Sequence, residues 1–238
     1  MRILAIGNSF SQDASRYLAG VAKSAGVNID IVNLMIGGCS LETHYQNMLS
    51  GEKKYQLEFN GGYTGFYVSL RDALLSGHWD VVTMQQVSHN APKYETYTPY
   101  LAEIAAYVKK YAPKSKIYMH ETWAYEEGSF RLTNELKYEK SLDMLNDVID
   151  SYKKAAEDIK ADGIIPSGRM MYKLSVSGIG KVHRDTFHAS YGVGRYALSL
   201  LWLRTLCGAC AEGNTFSDFD VPVGEDEKKV VWSVVDSF

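Results

Sequence analysis

Three residues in this chain have the types that nucleophilic catalysis needs: Ser9 near the beginning, and Asp185 and His188 near the end. A serine hydroxyl is a weak nucleophile until a base removes its proton. A histidine within hydrogen-bond reach does this, and a carboxylate can fix its tautomer and stabilise the imidazolium. The spacing Asp185-Thr186-Phe187-His188 lets one turn of backbone aim both side chains at one point. An oxyanion formed at an attacked carbonyl needs donors. The candidates are the backbone N–H groups of Ser9 and Gly38 and an amide from Gln85 or Gln86, with Gln86 favoured for its place at a strand end. Each residue also has an ordinary structural role. Ser9 and Asp185 suit helix N-caps, His188 a first-turn surface position, and Gly37-Gly38 a turn.

The surrounding elements must bring these residues together. Ile3-Leu4-Ala5-Ile6, bounded by Gly7, reads as a buried strand, and helical spacing follows over 12–24. Ser9 therefore lies in a strand-to-helix turn, where free N–H groups and the helix dipole favour negative charge. Further strands are expected at 27–34, 80–84, 116–120 and 163–165. Helices are expected at 41–49, 66–75, 100–111, 138–159 and 170–174, and from 185 to about 206. A hairpin over 53–64 is signalled by Asn60-Gly61-Gly62, and 229–235 forms a last helix or strand. The alternation predicts one α/β domain over 1–238: a three-layer αβα sandwich, flavodoxin-like, around a mostly parallel five-stranded sheet. Ligands of such sheets bind beyond the carboxyl ends of the strands. Ser9, Gly38, Gln85, Gln86 and Glu121 all follow strands.

Composition narrows the partners. The chain has 238 residues, 46% of them hydrophobic, and a net charge of −3. It carries no long basic block, which argues against nucleic acid. It carries no run long enough to span a membrane. With no leader before the first strand, the sequence as written reads as cytoplasmic, or as periplasmic or secreted if a leader was removed. Cys207-Gly-Ala-Cys210 follows an apolar helix, whereas a redox pair needs its first cysteine at a helix N-terminus. The pair is read as small residues ending a helix, and no ligand set for a metal is apparent.

In their order along the chain, these pieces resemble the SGNH (GDSL-type) hydrolase superfamily. Its first block, G-D-S-x-[ST], is matched by Gly7-Asn8-Ser9-Phe10-Ser11 except at Asn8. Its last block, D-x-x-H, is matched by Asp185 to His188, and its second-block glycine by Gly38. The third block, G-x-N-D, departs: Met84-Gln85-Gln86-Val87-Ser88-His89 stands there, so a glutamine takes the place of the oxyanion-hole asparagine. The resemblance is to a divergent bacterial branch that begins Gly-Asn-Ser-Phe-Ser.

The resemblance implies a serine esterase or deacylase that needs no cofactor and acts on a small-molecule or carbohydrate ester. Ser9 would attack, His188 would act as base and Asp185 would orient it. His44, His89 and Trp123 lie in or near the loops expected to frame the site, where aromatic faces suit sugar rings. Packing is the plainer role for such residues. Two rival readings are a nucleotide or flavin-phosphate module and a carbohydrate-binding relative without turnover. The first lacks a G-x-x-x-x-G-K-[ST] loop and gives Asp185 and His188 nothing to do.

Overall fold

A computed structural model describes residues 1–238. The chain runs β1 (Arg2–Gly7), α1 (Ser9–Ser15), α2 (Leu18–Ser24), β2 (Asp30–Met35), α3 (Leu41–Ser50), β3 (Tyr55–Phe59), β4 (Gly62–Val68) and α4 (Leu70–Leu75). It continues with β5 (Val81–Met84), α5 (Tyr100–Tyr111), β6 (Lys116–His120), α6 (Ser141–Asp158), β7 (Gly163–Ile165), α7 (Ser167–Ser175), α8 (Val193–Cys207) and α9 (Glu225–Val235). The sheet order is β4-β3-β2-β1-β5-β6-β7. Strands β2, β1, β5, β6 and β7 pair in parallel and are the five expected from the sequence.

The sheet has seven strands because the hairpin does not stand apart. β3 adds antiparallel to β2, with Asn33 opposite Glu58, and β4 pairs with β3. Residues 66–68 therefore belong to a strand and not to the expected helix. That helix starts at Leu70, where Ser69 and Asp72 exchange side-chain-to-backbone bonds in a capping box. The expected helix over 12–24 is split into α1 and α2. α8 ends at Cys207 with Gly208 as a left-handed cap at φ +71°, so the C-x-x-C pair lies at a helix C-terminus.

β1 and β5 are buried along nearly their whole length. β2 lies on one side of β1 and β5 on the other, and the chain reverses direction there. A crevice opens at such a switch point, beyond the carboxyl ends of the two strands. Ser9 follows β1 and Gln85 follows β5. α8 is buried continuously from Val193 to Leu203, and Arg195 is the charged residue inside that run. No helix is long and apolar enough to cross a membrane.

Three histidines are packed away from water: His44, His120 and His183. Burial lowers their pKa values to about 3, about 3 and about 4 respectively. In the unfolded chain they protonate below about pH 6.5. Between these limits the unfolded state binds more protons, so stability falls as pH drops below about 6.5 and continues to fall towards pH 3–4. At pH 5 each histidine costs about 2 kcal/mol relative to neutral pH. Burial raises the pKa values of Asp13 and Glu121, which act in the opposite direction, so a urea midpoint lower at pH 5.0 than at pH 7.5 is expected where the three histidines outweigh them.

Candidate active site

The turn that carries Ser9 is built by Asn8. Its Oδ1 accepts the N–H of Phe10 at 3.0 Å, and its own N–H donates to Ser11 Oγ at 3.1 Å. Asn8 is thus the N-cap of α1, and Ser9 is the first helical residue with its hydroxyl free of capping duty. Gly7 cannot carry a side chain, because a Cβ there would lie 2.2 Å from Ser11 Oγ.

Ser9 Oγ lies 2.8 Å from His188 Nε2, and His188 Nδ1 lies 2.7 Å from Asp185 Oδ2. The structure therefore joins all three residues in one hydrogen-bonded chain across most of the sequence. Asp185 and His188 do not open a helix, as the sequence spacing suggested. They occupy a loop closed by bonds from Arg184 N to His188 O and from Ser190 N to Val182 O, and α8 starts only at Val193. Asp185 Oδ1 accepts the His188 N–H at 2.9 Å, as a helix N-cap would, yet no helix follows. Thr186 at φ +77° breaks any helical run. Burial works to raise the Asp185 pKa, but hydrogen bonds from His188 and Phe187 outweigh it and hold the carboxyl below its usual value.

A buried carboxylate on α1 holds this loop against the helix that carries Ser9. Asp13 Oδ1 accepts from Arg195 Nε at 2.8 Å, and Arg184 Nη1 lies within 2.9 Å of both Asp13 oxygens. The N–H of Ala189, next to His188, also donates to Asp13, at 3.2 Å. Arg195 continues to Asp220, which also binds Arg16. Nothing in the sequence motifs announced Asp13. The usable signal was Arg195, the one charge within the run Val193 to Leu203, which needs a buried partner.

Gly38 sits in the turn after β2 at φ +64°, which glycine adopts without strain, and its N–H has no acceptor in the protein. Ser9 N–H, at the first helical position, has none within α1. Asn8 Nδ2 joins the two turns by donating to Cys39 O at 3.1 Å.

The glutamines expected to complete the oxyanion hole are used otherwise. Gln86 is fully buried, and its Nε2 donates to Thr96 O and Thr96 Oγ1, which occupies both protons. Gln85 Nε2 donates to Asn8 Oδ1 at 2.8 Å, and its Oε1 lies 2.8 Å from His120 Nδ1. The direction of this chain is forced. Phe10 N–H can only donate, so Asn8 presents oxygen to it and nitrogen to the Cys39 carbonyl. Gln85 must then present nitrogen to Asn8 and oxygen to His120, which carries its proton on Nδ1. An aspartate at position 8 could not donate to Cys39 O. This gives a physical reason for the departure from the G-D-S block.

Two of the residues expected at the substrate are walls. Trp123 is buried, stacks on Phe10 with centroids 4.1 Å apart, and donates its Nε1–H to Phe187 O at 2.7 Å. It braces the histidine loop and offers no face to a sugar. His44 is fully buried, with Nδ1 3.0 Å from Tyr55 Oη and 3.5 Å from Cys39 Sγ. A loop position says little about burial, which is why sequence reading placed both at the surface of the site. His89 is exposed, beyond the end of β5. A cavity of about 520 Å³ abuts the histidine loop through Val182 and His183 and is lined also by Tyr125 and Tyr172, but not by the triad residues. No cluster of three or more His, Cys, Asp or Glu is placed to hold a metal ion.

The profile of a domain of unknown function, DUF4886, matches residues 2–228. The chain belongs to the DUF4886 family. A crystal structure of a DUF4886 family protein from Bacteroides uniformis superposes with a TM-score of 0.91 at 30% identity, over 100% of this chain and 93% of that one. A Slackia heliotrinireducens protein described as an SGNH hydrolase gives 0.62 at 23% identity, over 87% and 98%. Axe2, an acetylxylan esterase from Geobacillus stearothermophilus, gives 0.52 at 14% identity, over 87% and 94%. No curated protein matches this sequence. The DUF4886 chain thus has the SGNH hydrolase fold, and its own first block carries asparagine and its third block glutamines.

Proposed function

We propose that this DUF4886 protein is a serine esterase that removes an acyl group, acetyl in the simplest case, from a carbohydrate or other small alcohol. The observation that carries the proposal is the hydrogen-bonded chain from Ser9 Oγ through His188 to Asp185 Oδ2. Ser9 Oγ attacks the ester carbonyl while His188 Nε2 takes its proton. Asp185 holds the imidazole with its proton on Nδ1 and stabilises the cation as it forms. The carbonyl oxygen becomes an oxyanion and is received by the N–H groups of Ser9 and Gly38. His188 returns the proton to the departing alcohol oxygen. Water, deprotonated by the same histidine, then releases the acid from Ser9.

The oxyanion hole in this proposal contains backbone donors alone, since the Gln86 amide protons are spent on Thr96 and the Gln85 amide nitrogen is turned to Asn8 Oδ1. The acetyl-carbohydrate reading is supported by the acetylxylan esterase among proteins of this fold. The test combines turnover with covalent trapping. p-Nitrophenyl acetate and peracetylated xylose should be hydrolysed, and a fluorophosphonate should add one adduct, located on Ser9 by peptide mass mapping. Ser9→Ala should take up no adduct. Labelling elsewhere, or no turnover of either ester by folded protein, would overturn the proposal.

A further inference from the structure

The mouth of the site carries a cation with no carboxylate partner. Arg131 opens a π-helical turn, Arg131–Glu135, and is exposed. Such turns are rare and occur often at functional sites. Its guanidinium carbon lies 4.2 Å from the centre of the Phe187 ring. The Phe187 ring in turn lies 3.9 Å, centre to centre, from the imidazole of His188. The guanidinium is therefore fixed within two short contacts of the base.

Arg16, Arg169, Arg184, Arg195 and Arg204 all pair with carboxylates, whereas Arg131 forms no ion pair. Lys93 adds positive charge close by. Burial lowers the pKa of His89, and Lys93 and Arg131 lower it further against the opposing pull of Glu135. Cations thus outweigh the acid around His89. An arginine laid on an aromatic face keeps its planar N–H fork at the edge, the geometry that binds a carboxylate through two bonds.

Which half of the ester meets this charge follows from the proton path. His188 protonates the leaving alcohol, so the alcohol half lies on the imidazole side, where Phe187 and Arg131 stand. We infer that Arg131 binds a carboxylate on the alcohol half of the ester, so that the substrate is an acylated hydroxy acid or sugar acid and not a neutral sugar. The inference rests on the esterase reading above and adds the charge of the acceptor to it.

Two acetate esters of similar shape test it: 4-acetoxybenzoate, which is anionic, and 4-acetoxybenzamide, which is neutral. The unmodified protein should prefer the anion by about tenfold or more in kcat/KM, through KM, with the preference shrinking as salt rises. In Arg131→Gln the ratio should fall towards one, and Arg131→Lys should keep part of it, since lysine supplies charge without the fork. A ratio near one in the unmodified protein, or a ratio unchanged in Arg131→Gln, would overturn the inference. Calorimetry with 4-hydroxybenzoate and 4-hydroxybenzamide separates this from the esterase reading. Selective binding of the acid that needs Arg131 would uphold the anion site even without turnover. Equal or absent binding of both, with neutral esters still hydrolysed, would sink the anion site and leave the esterase standing.

Discussion

Asp185→Asn is expected to lower kcat for acetate-ester hydrolysis by about 10⁴-fold, the order found where a triad aspartate is made neutral without loss of shape. The asparagine oxygen can still accept the His188 backbone N–H, as Asp185 Oδ1 does at 2.9 Å. The loop should therefore remain closed. Its amide nitrogen then faces His188 Nδ1 in place of Oδ2. A donor there forces the imidazole proton onto Nε2, pointing it at Ser9 Oγ, and the ring can no longer take the serine proton. Measured kcat should collapse while the melting temperature shifts by a few degrees at most. If activity and melting temperature fell together, the carboxylate would be serving mainly to close its own loop.

Asp13→Ala is expected to destabilise the protein by about 3–5 kcal/mol, because it strands buried cationic partners. Arg184 loses the carboxylate that its Nη1 meets, and Arg195 Nε loses its acceptor. Asp220 still neutralises Arg195, so the heavier loss falls on Arg184 and on the Ala189 N–H. Both flank the segment that carries Asp185 and His188, so kcat should drop as well. Urea unfolding gives the first number, and turnover at a temperature where the variant is fully folded gives the second. A variant as active and as stable as its parent would mean that the loop is held by its own hydrogen bonds and by Trp123.

Much of this could be read from the sequence, for physical reasons. A nucleophile, its base and an orienting acid must be particular residue types, so Ser9, Asp185 and His188 stand out. The buried strands stand out because β1 and β5 are short apolar runs. The D-x-x-H spacing placed Asp185 beside His188, but it could not show that Thr186 would turn left-handed and keep the segment from becoming a helix. The glutamines mark the limit more sharply. Their order after β5 was legible, yet the direction of an amide depends on partners distant in sequence, such as Asn8 and His120 for Gln85. Asp13 looked like any polar residue in a helix until two arginines from the far end of the chain converged on it.

The one-way hydrogen-bond chain through Asn8 also bears on what position 8 can become. The asparagine, the glutamine behind it and the Nδ1-protonated histidine behind that form a set in which each member dictates which atom the next must offer. Restoring aspartate at position 8 would place an oxygen against the Cys39 carbonyl and release the turn that carries Gly38. The change that brings the first block closer to the wider superfamily thus costs a hydrogen bond unless the neighbours change with it. The set is interlocked: the asparagine is held by its neighbours, and an aspartate in its place would require the glycine turn and the residues after β5 to be rebuilt together.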